Sequence, residues 1–226
     1  MLKPVSALLF GLVVAASVQA ADEPFELGKQ YFLVEPPQAT STGDKIEVLE
    51  VFSYACPACN FFQPTMAKLK AALPANAEMV YLPAAFRPDE DWPVFQRAFY
   101  AAQAMGIADK AHDATFDAVW KDDGPLRISD ATTRRPIKPM PTIENVATFY
   151  ASKFGVKAED FTGVANSFAI NTKMKRADAQ IKAYGVDSTP TIVVNGKYRL
   201  TGQSVGSADK VVSLVKFLVE KESAGK

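Results

Sequence analysis

Residues Ile46-Glu47-Val48-Leu49-Glu50-Val51-Phe52 run directly into Ser53-Tyr54-Ala55-Cys56-Pro57-Ala58-Cys59. The first seven are mostly apolar, rich in β-branched side chains and preceded by a Thr42-Gly43-Asp44 turn, which reads as a buried central strand. From Pro57 to Leu73 the spacing of Phe61, Phe62, Met66, Leu69 and Leu73 fits a helix that Pro74 closes, with Pro64 predicting a kink. A strand entering and a helix leaving place Cys56 at the helix N-cap. Pro57 then takes the first helical position, where its missing N–H does no harm, and Cys59 lies one turn further on the buried side. Free backbone N–H groups and the positive end of the helix dipole favour a thiolate at Cys56.

Working outward, Tyr31 to Val34 is a weaker strand and Glu78 to Leu82 a later one. The pattern then turns helical: Trp92 to Met105, Ile107 to Trp120, Ile143 to Phe154, and Ala158 to Tyr184 in one or two pieces, with a loop at Pro136 to Pro141. Thr191 to Val194, the Asn195-Gly196 turn and Lys197 to Leu200 form a hairpin, and a last amphipathic helix runs from Ala208 to Glu220. The strands flanking the helical block are too few for two sheets. The expectation is an α/β domain over residues 21–226, with one mixed central sheet interrupted by a helical insertion at 87–180.

Composition narrows the function. The 226 residues carry 25 basic and 25 acidic side chains, so the chain lacks the basic field of a nucleic-acid binder. With 48% hydrophobic residues, it can bury enough surface to offset its ordering entropy. Lys3, an apolar run from Val5 to Ala16, and the small residues Val18 and Ala20 make a secretory leader, residues 1–20, cleaved after Ala20. A membrane span needs about 20 consecutive apolar residues, and Ser17 and Gln19 interrupt this run. Removing the leader leaves 206 residues, bound for an oxidising compartment, with one more acidic than basic side chain.

Two cysteines and one histidine exclude a four-ligand zinc cluster, so no metal or cofactor is expected. A structural staple between Cys56 and Cys59 is the bland alternative, but bridging such close neighbours constrains the unfolded chain little. Two inert thiols would not need this helix start. The chemistry expected of the pair is redox.

With these residues in view, the chain resembles the DsbA-type periplasmic thiol:disulfide interchange proteins of the thioredoxin superfamily. The resemblance rests on Gly28-Lys29-Gln30-Tyr31, Val48-Leu49-Glu50, Phe52-Ser53 with the cysteine pair, the helical insertion, Thr189-Pro190 and Val194-Asn195-Gly196-Lys197-Tyr198. It implies a thioredoxin fold, Cys56 as the reactive thiol, Cys59 as its buried partner and Glu50 as a buried acid below them. It also implies Pro57-Ala58 as the active-site dipeptide and Pro190 as a cis-proline facing the pair. Residue physics alone makes that bond trans, the commoner isomer. Three departures stand out: Ala58 where the best-known members have histidine, Gln63 where they have an acid, and Tyr81 where a lysine would pair with the acid.

Glu50 is odd even without the resemblance, because an acid in a strand covered on both faces costs several kcal/mol unless protonated or partnered. It is either a proton acceptor, through water, for Cys59, or an acid near a strand end that reaches solvent. Beside Thr189 and Pro190 an extended substrate segment could add as a short strand. His112 reads as a solvated surface residue, Arg134-Arg135 as a solvated loop pair, and Phe86, Phe95, Phe99, Tyr100 and Trp120 mostly as core. The expected activity is a dithiol oxidase that donates the Cys56-Cys59 disulfide to reduced, cysteine-containing secreted proteins. The resemblance implies a monomer reoxidised by a quinone-linked membrane partner of the DsbB type. A periplasmic reductase or isomerase, and a peptide-binding chaperone with incidental thiols, remain as alternatives.

Overall fold

The computed structural model describes residues 24–90, 92–130, 132–133 and 135–225. The expected leader and Arg134 lie outside them. In chain order the elements are β1 (Phe32–Leu33), β2 (Ile46–Phe52), α1 (Pro57–Ala72), β3 (Ala77–Pro83), α2 (Trp92–Ala104), α3 (Ala108–Trp120), α4 (Ile143–Phe154), α5 (Ala158–Ala165), α6 (Phe168–Ala183), β4 (Thr191–Val194), β5 (Tyr198–Thr201), α7 (Gly202–Val205) and α8 (Ala208–Ala224). The strands form one sheet in the order β1-β5-β4-β2-β3. Only the β2–β3 pair is parallel among them, so the sheet is mixed.

The seven residues of β2 are all buried, as expected of a strand covered on both faces. On one face Ile46 and Val48 meet Met66 and Leu69 of α1 and Leu214 and Leu218 of α8. On the other, Leu49 and Val51 join a core shared with Phe95, Phe116, Tyr150 and Phe161 of the helices inserted between β3 and β4. Each such side chain contributes about 1.5–3 kcal/mol by burial, so Leu69→Ala alone would cost about 2–5 kcal/mol.

The Asn195-Gly196 turn has φ of 50° and 64°, the left-handed pair that a two-residue hairpin requires. A Cβ at Gly196 would run into the backbone carbonyl of Gln38, so glycine is needed for space as well as for φ. The structure settles one open boundary and moves others. The stretch from Ala158 breaks because Ser167 starts a new helix, its hydroxyl accepting from the Ile170 N–H. The second hairpin strand begins at Tyr198, α8 continues to Ala224, and α7 follows β5 on a Thr201–Ser204 capping box. α1 passes through Pro64 as one helix.

His112 corrects the sequence reading outright. It is 5% exposed, its ring centroid is 4.1 Å from that of Tyr81 and 5.0 Å from that of Phe52, and its Nδ1 is 3.1 Å from the Tyr54 hydroxyl. The polar neighbours that suggested a solvated face, Asp109 and Asp113, are on the exposed side of α3, whereas His112, Thr115, Phe116 and Val119 form its buried stripe. Arg135 is exposed, as expected.

Candidate redox site

The end of β2 delivers the chain to a tight loop that α1 then picks up. Ser53 shapes it: its hydroxyl accepts from Ala55 N–H at 3.2 Å, and its carbonyl accepts from Cys56 N–H at 3.1 Å. Trp120 Nε1 donates to the Tyr54 carbonyl at 2.8 Å, tying the loop to the inserted helices. Cys56 is the N-cap of α1 and Pro57 its first residue. The Cys56 Sγ accepts from the Cys59 N–H at 3.4 Å and faces the Thr189 carbonyl at 3.6 Å, to which its thiol donates. Both cysteines are free thiols.

The environments of the two sulfurs push their acidities apart. Cys56 is lowered to about 6, first by the Cys59 thiol beside it and then by Thr189 and the N–H groups of Cys59 and Ala58, against an opposing effect of burial. Cys59 is pushed far up, first by burial and then by Cys56. Cys56 is less open than an N-cap suggests. The residue is 5% exposed and Cys59 is fully buried, while Pro57 and Ala58 take the surface between them.

Glu50 is fully buried with both carboxylate oxygens unpartnered, which removes the alternative of an acid reaching solvent. Burial first, and the Cys56 charge second, raise it to about 8. The other acid of β2, Glu47, is treated differently, because Ser41 donates to it from both its N–H and its hydroxyl. Tyr81 occupies the strand position directly beside Glu50.

The Thr189–Pro190 peptide is cis. Along it runs a groove of about 420 Å³, lined by Ala58, Phe61, Phe62, Pro190, Gly202 and Gln203 among others, with no charged side chain among its lining residues. Phe61 stands 87% exposed at its wall. The sequence reading missed Phe61, Tyr54 and Trp120. Phe61 entered that reading only through the apolar spacing of the helix, although it lies two residues past Cys59, on the turn that carries the dithiol. Among the described residues no cluster of three or more His, Cys, Asp or Glu could hold a metal ion.

This geometry can be set beside known proteins. The family model described as "DSBA-like thioredoxin domain" matches residues 47–212. The thiol:disulfide interchange protein DsbA of Pseudomonas aeruginosa is 36% identical over 96% of this chain and 92% of its own length. That of Pseudomonas syringae pv. tomato is 35% identical over 97% of this chain and 92% of its own. The crystal structure of Pseudomonas aeruginosa DsbA superposes with a TM-score of 0.75 at 37% identity, covering 89% of this chain and 96% of that one. The Xylella fastidiosa oxidoreductase DsbA gives 0.74 at 28% identity, covering 87% and 97%. A mixed sheet that delivers two unequal thiols to the start of a helix, together with these likenesses, places the chain in the DsbA family of thioredoxin-fold thiol:disulfide oxidoreductases.

Proposed function

We propose that this oxidoreductase works as a dithiol oxidase of secreted proteins, with Cys56 as the exchanging sulfur. The observation that carries this reading is the opposed acidity of Cys56 and Cys59. A substrate thiolate attacks the Cys56 Sγ of the disulfide form. The Cys56–Cys59 bond breaks, its electron pair goes to Cys59, and Cys59 takes a proton from Glu50 through water. A second substrate thiolate then attacks the substrate sulfur of the mixed disulfide and expels Cys56 as a thiolate, leaving a substrate disulfide and the enzyme dithiol. Stabilisation of that leaving thiolate favours this direction.

Glu50 raised to about 8 holds a proton at neutral pH, which suits a donor to the departing Cys59 and an acceptor on the return. The substrate segment lies along the uncharged groove, its backbone beside Thr189 and Pro190 and its apolar side chains against Phe61. In this reading residues 1–20 are a cleaved leader, residues 21–226 the thioredoxin-like domain with its helical insertion at 87–180, and the compartment is the periplasm. The reoxidant is a DsbB-type quinone-linked membrane protein. The enzyme is a monomer, uses no cofactor beyond its own disulfide, and has no nucleic-acid partner.

Equilibration with glutathione buffers tests the direction. A potential more oxidising than the glutathione couple supports an oxidase, and one well below it supports the reductase reading. A Cys56→Ala variant that kept full function in cells would favour the chaperone.

A further inference from the structure

α6 turns Ile170, Ala177 and Ile181 into the core of the inserted helices. The positions opposite them, 168, 172, 175, 179 and 182, follow one another at the three- and four-residue spacing of a single helix face. That face holds Phe168, Lys175 and Lys182 in the open, with the exposed Arg176 beside them. Its 16 residues make it about 24 Å long.

Two observations set this face apart from an ordinary solvated one. The first is one-sided charge. α6 carries four cations, Lys173, Lys175, Arg176 and Lys182, against one acid, Asp178, whose carboxylate accepts from Gln96 Nε2 at 2.8 Å. Lys173 is turned toward α2, where it donates to Gln103 at 3.2 Å and lies 5.9 Å from the centre of the Tyr100 ring. Among the described residues Lys175, Arg176 and Lys182 form no ion pair, whereas Lys68, Lys121 and Lys197 on other elements each have an acidic partner. The whole chain has equal numbers of basic and acidic side chains, so the excess on α6 is local. The second observation is Phe168 itself, 85% exposed at the start of the helix, with Arg97 of α2 and Lys175 near it. A single exposed apolar side chain is ordinary. An aromatic ring set among cations on one helix face is the pattern that binds where lipid headgroups meet acyl chains.

We infer that the exposed face of α6 docks on an anionic phospholipid surface, with Lys175, Arg176 and Lys182 against the headgroup phosphates and the Phe168 ring at their boundary with the acyl chains. A lipid surface fits better than an acidic protein because the cations are strung along one straight face, which a planar array of negative charge meets at every turn, and because the ring projects outward. No residue of α6 lines the groove at Pro190, so a docked surface does not occupy that groove. Such docking keeps the oxidase proposed above beside the membrane that holds its reoxidant. The lipid contact itself does not depend on that reading, so it and the glutathione equilibration fail separately.

Co-sedimentation of the mature protein, residues 21–226, with vesicles tests this; without the apolar leader, only the folded surface can bind. Vesicles of phosphatidylcholine with about 30% phosphatidylglycerol should carry the protein down at about 20 mM salt and release it at about 500 mM, where screening is strong. Pure phosphatidylcholine vesicles should leave it in solution. Lys175→Gln/Arg176→Gln should weaken partition into the anionic vesicles by about 10- to 30-fold, and Phe168→Ser by several-fold. Lys210→Gln/Lys216→Gln, which removes two exposed cations from α8, should bind as wild type does. All these positions are exposed, so circular dichroism melts should stay close to wild type. Wild-type protein that remains in solution with anionic vesicles at low salt would overturn the lipid contact and leave an acidic protein as the occupant. Equal losses in the α6 and α8 double variants would overturn the assignment to α6, and wild-type partition of Phe168→Ser would overturn the place given to the ring.

Discussion

The indole Nε1 of Trp120 donates a 2.8 Å hydrogen bond to the backbone carbonyl of Tyr54, two residues before Cys56. The last residue of α3 thereby holds the loop that aims the thiol, and the Tyr54 side chain is held by the same helix through His112. Trp120→Phe keeps most of the packing and leaves that carbonyl without its donor. It should cost about 1–2 kcal/mol in urea unfolding and raise amide exchange at Ala55 and Cys56. Amide exchange at wild-type levels would show that Ser53 alone shapes the loop.

Far-ultraviolet thiolate absorbance of the reduced protein should titrate with a midpoint of about 6, from Cys56. Iodoacetamide near neutral pH should therefore modify Cys56 and spare Cys59, as mass spectrometry of the digested protein would read. Because the folded value lies below that of the unfolded thiol, the thiolate stabilises the reduced fold fully above the unfolded pKa. That stability is lost as pH falls through about 6.

Glu50→Gln should act with the opposite pH sense. The carboxyl is raised from 4.5 to about 8 in the fold, so folding binds its proton more tightly and wild-type stability falls as pH rises between those values. The variant should match wild type near pH 4.5 and exceed it above pH 8 by on the order of 5 kcal/mol. Denaturant melts of both reduced proteins at the two ends of this range decide it. A difference that did not grow with pH would mean that the carboxyl finds a partner in solution.

Ala58 lies exposed between the two cysteines. Ala58→His would add a positive charge or a donor beside the Cys56 thiolate, lowering its midpoint by about 1 unit. A thiolate favoured by that much makes the disulfide more oxidising by about 30 mV. Glutathione equilibration reads the potential and the thiolate titration reads the midpoint. A potential moving the other way would replace the electrostatic account with one based on strain in the ring.

Docking along the groove should depend on Phe61. Phe61→Ser removes an 87% exposed aromatic side chain, so stability should change little. KM for an apolar cysteine peptide should rise several-fold while exchange with a small thiol stays the same. A loss of small-thiol reactivity would instead mean that Phe61 supports the helix start itself.

Much of this was legible in the chain. The apolar run into Cys56-Pro57-Ala58-Cys59 fixed a strand, an N-cap and a helix, and Asn195-Gly196 fixed a hairpin, because each is decided by neighbouring residues. His112 was misread because Asp109, Lys110 and Asp113 around it are polar. The spacing of His112, Thr115, Phe116 and Val119 was the signal for a buried stripe. Glu50 could be marked as costly from its strand alone, but its full enclosure depends on α1 packing over β2, which strand periodicity does not reveal. The groove was hidden for a similar reason, since α1 meets the Pro190 and Gly202 segments only in three dimensions.

The burial of His112 also changes what a proton count can measure. It is the only histidine in the sequence, and with its pKa lowered to about 3 it drops out of the neutral range. Between about pH 5 and 9 lie Cys56, lowered to about 6, and Glu50, raised to about 8. Potentiometric titration of the unlabelled dithiol and disulfide forms, subtracted one from the other, would therefore report the redox centre directly, because groups common to both forms cancel and no histidine is superimposed on the difference.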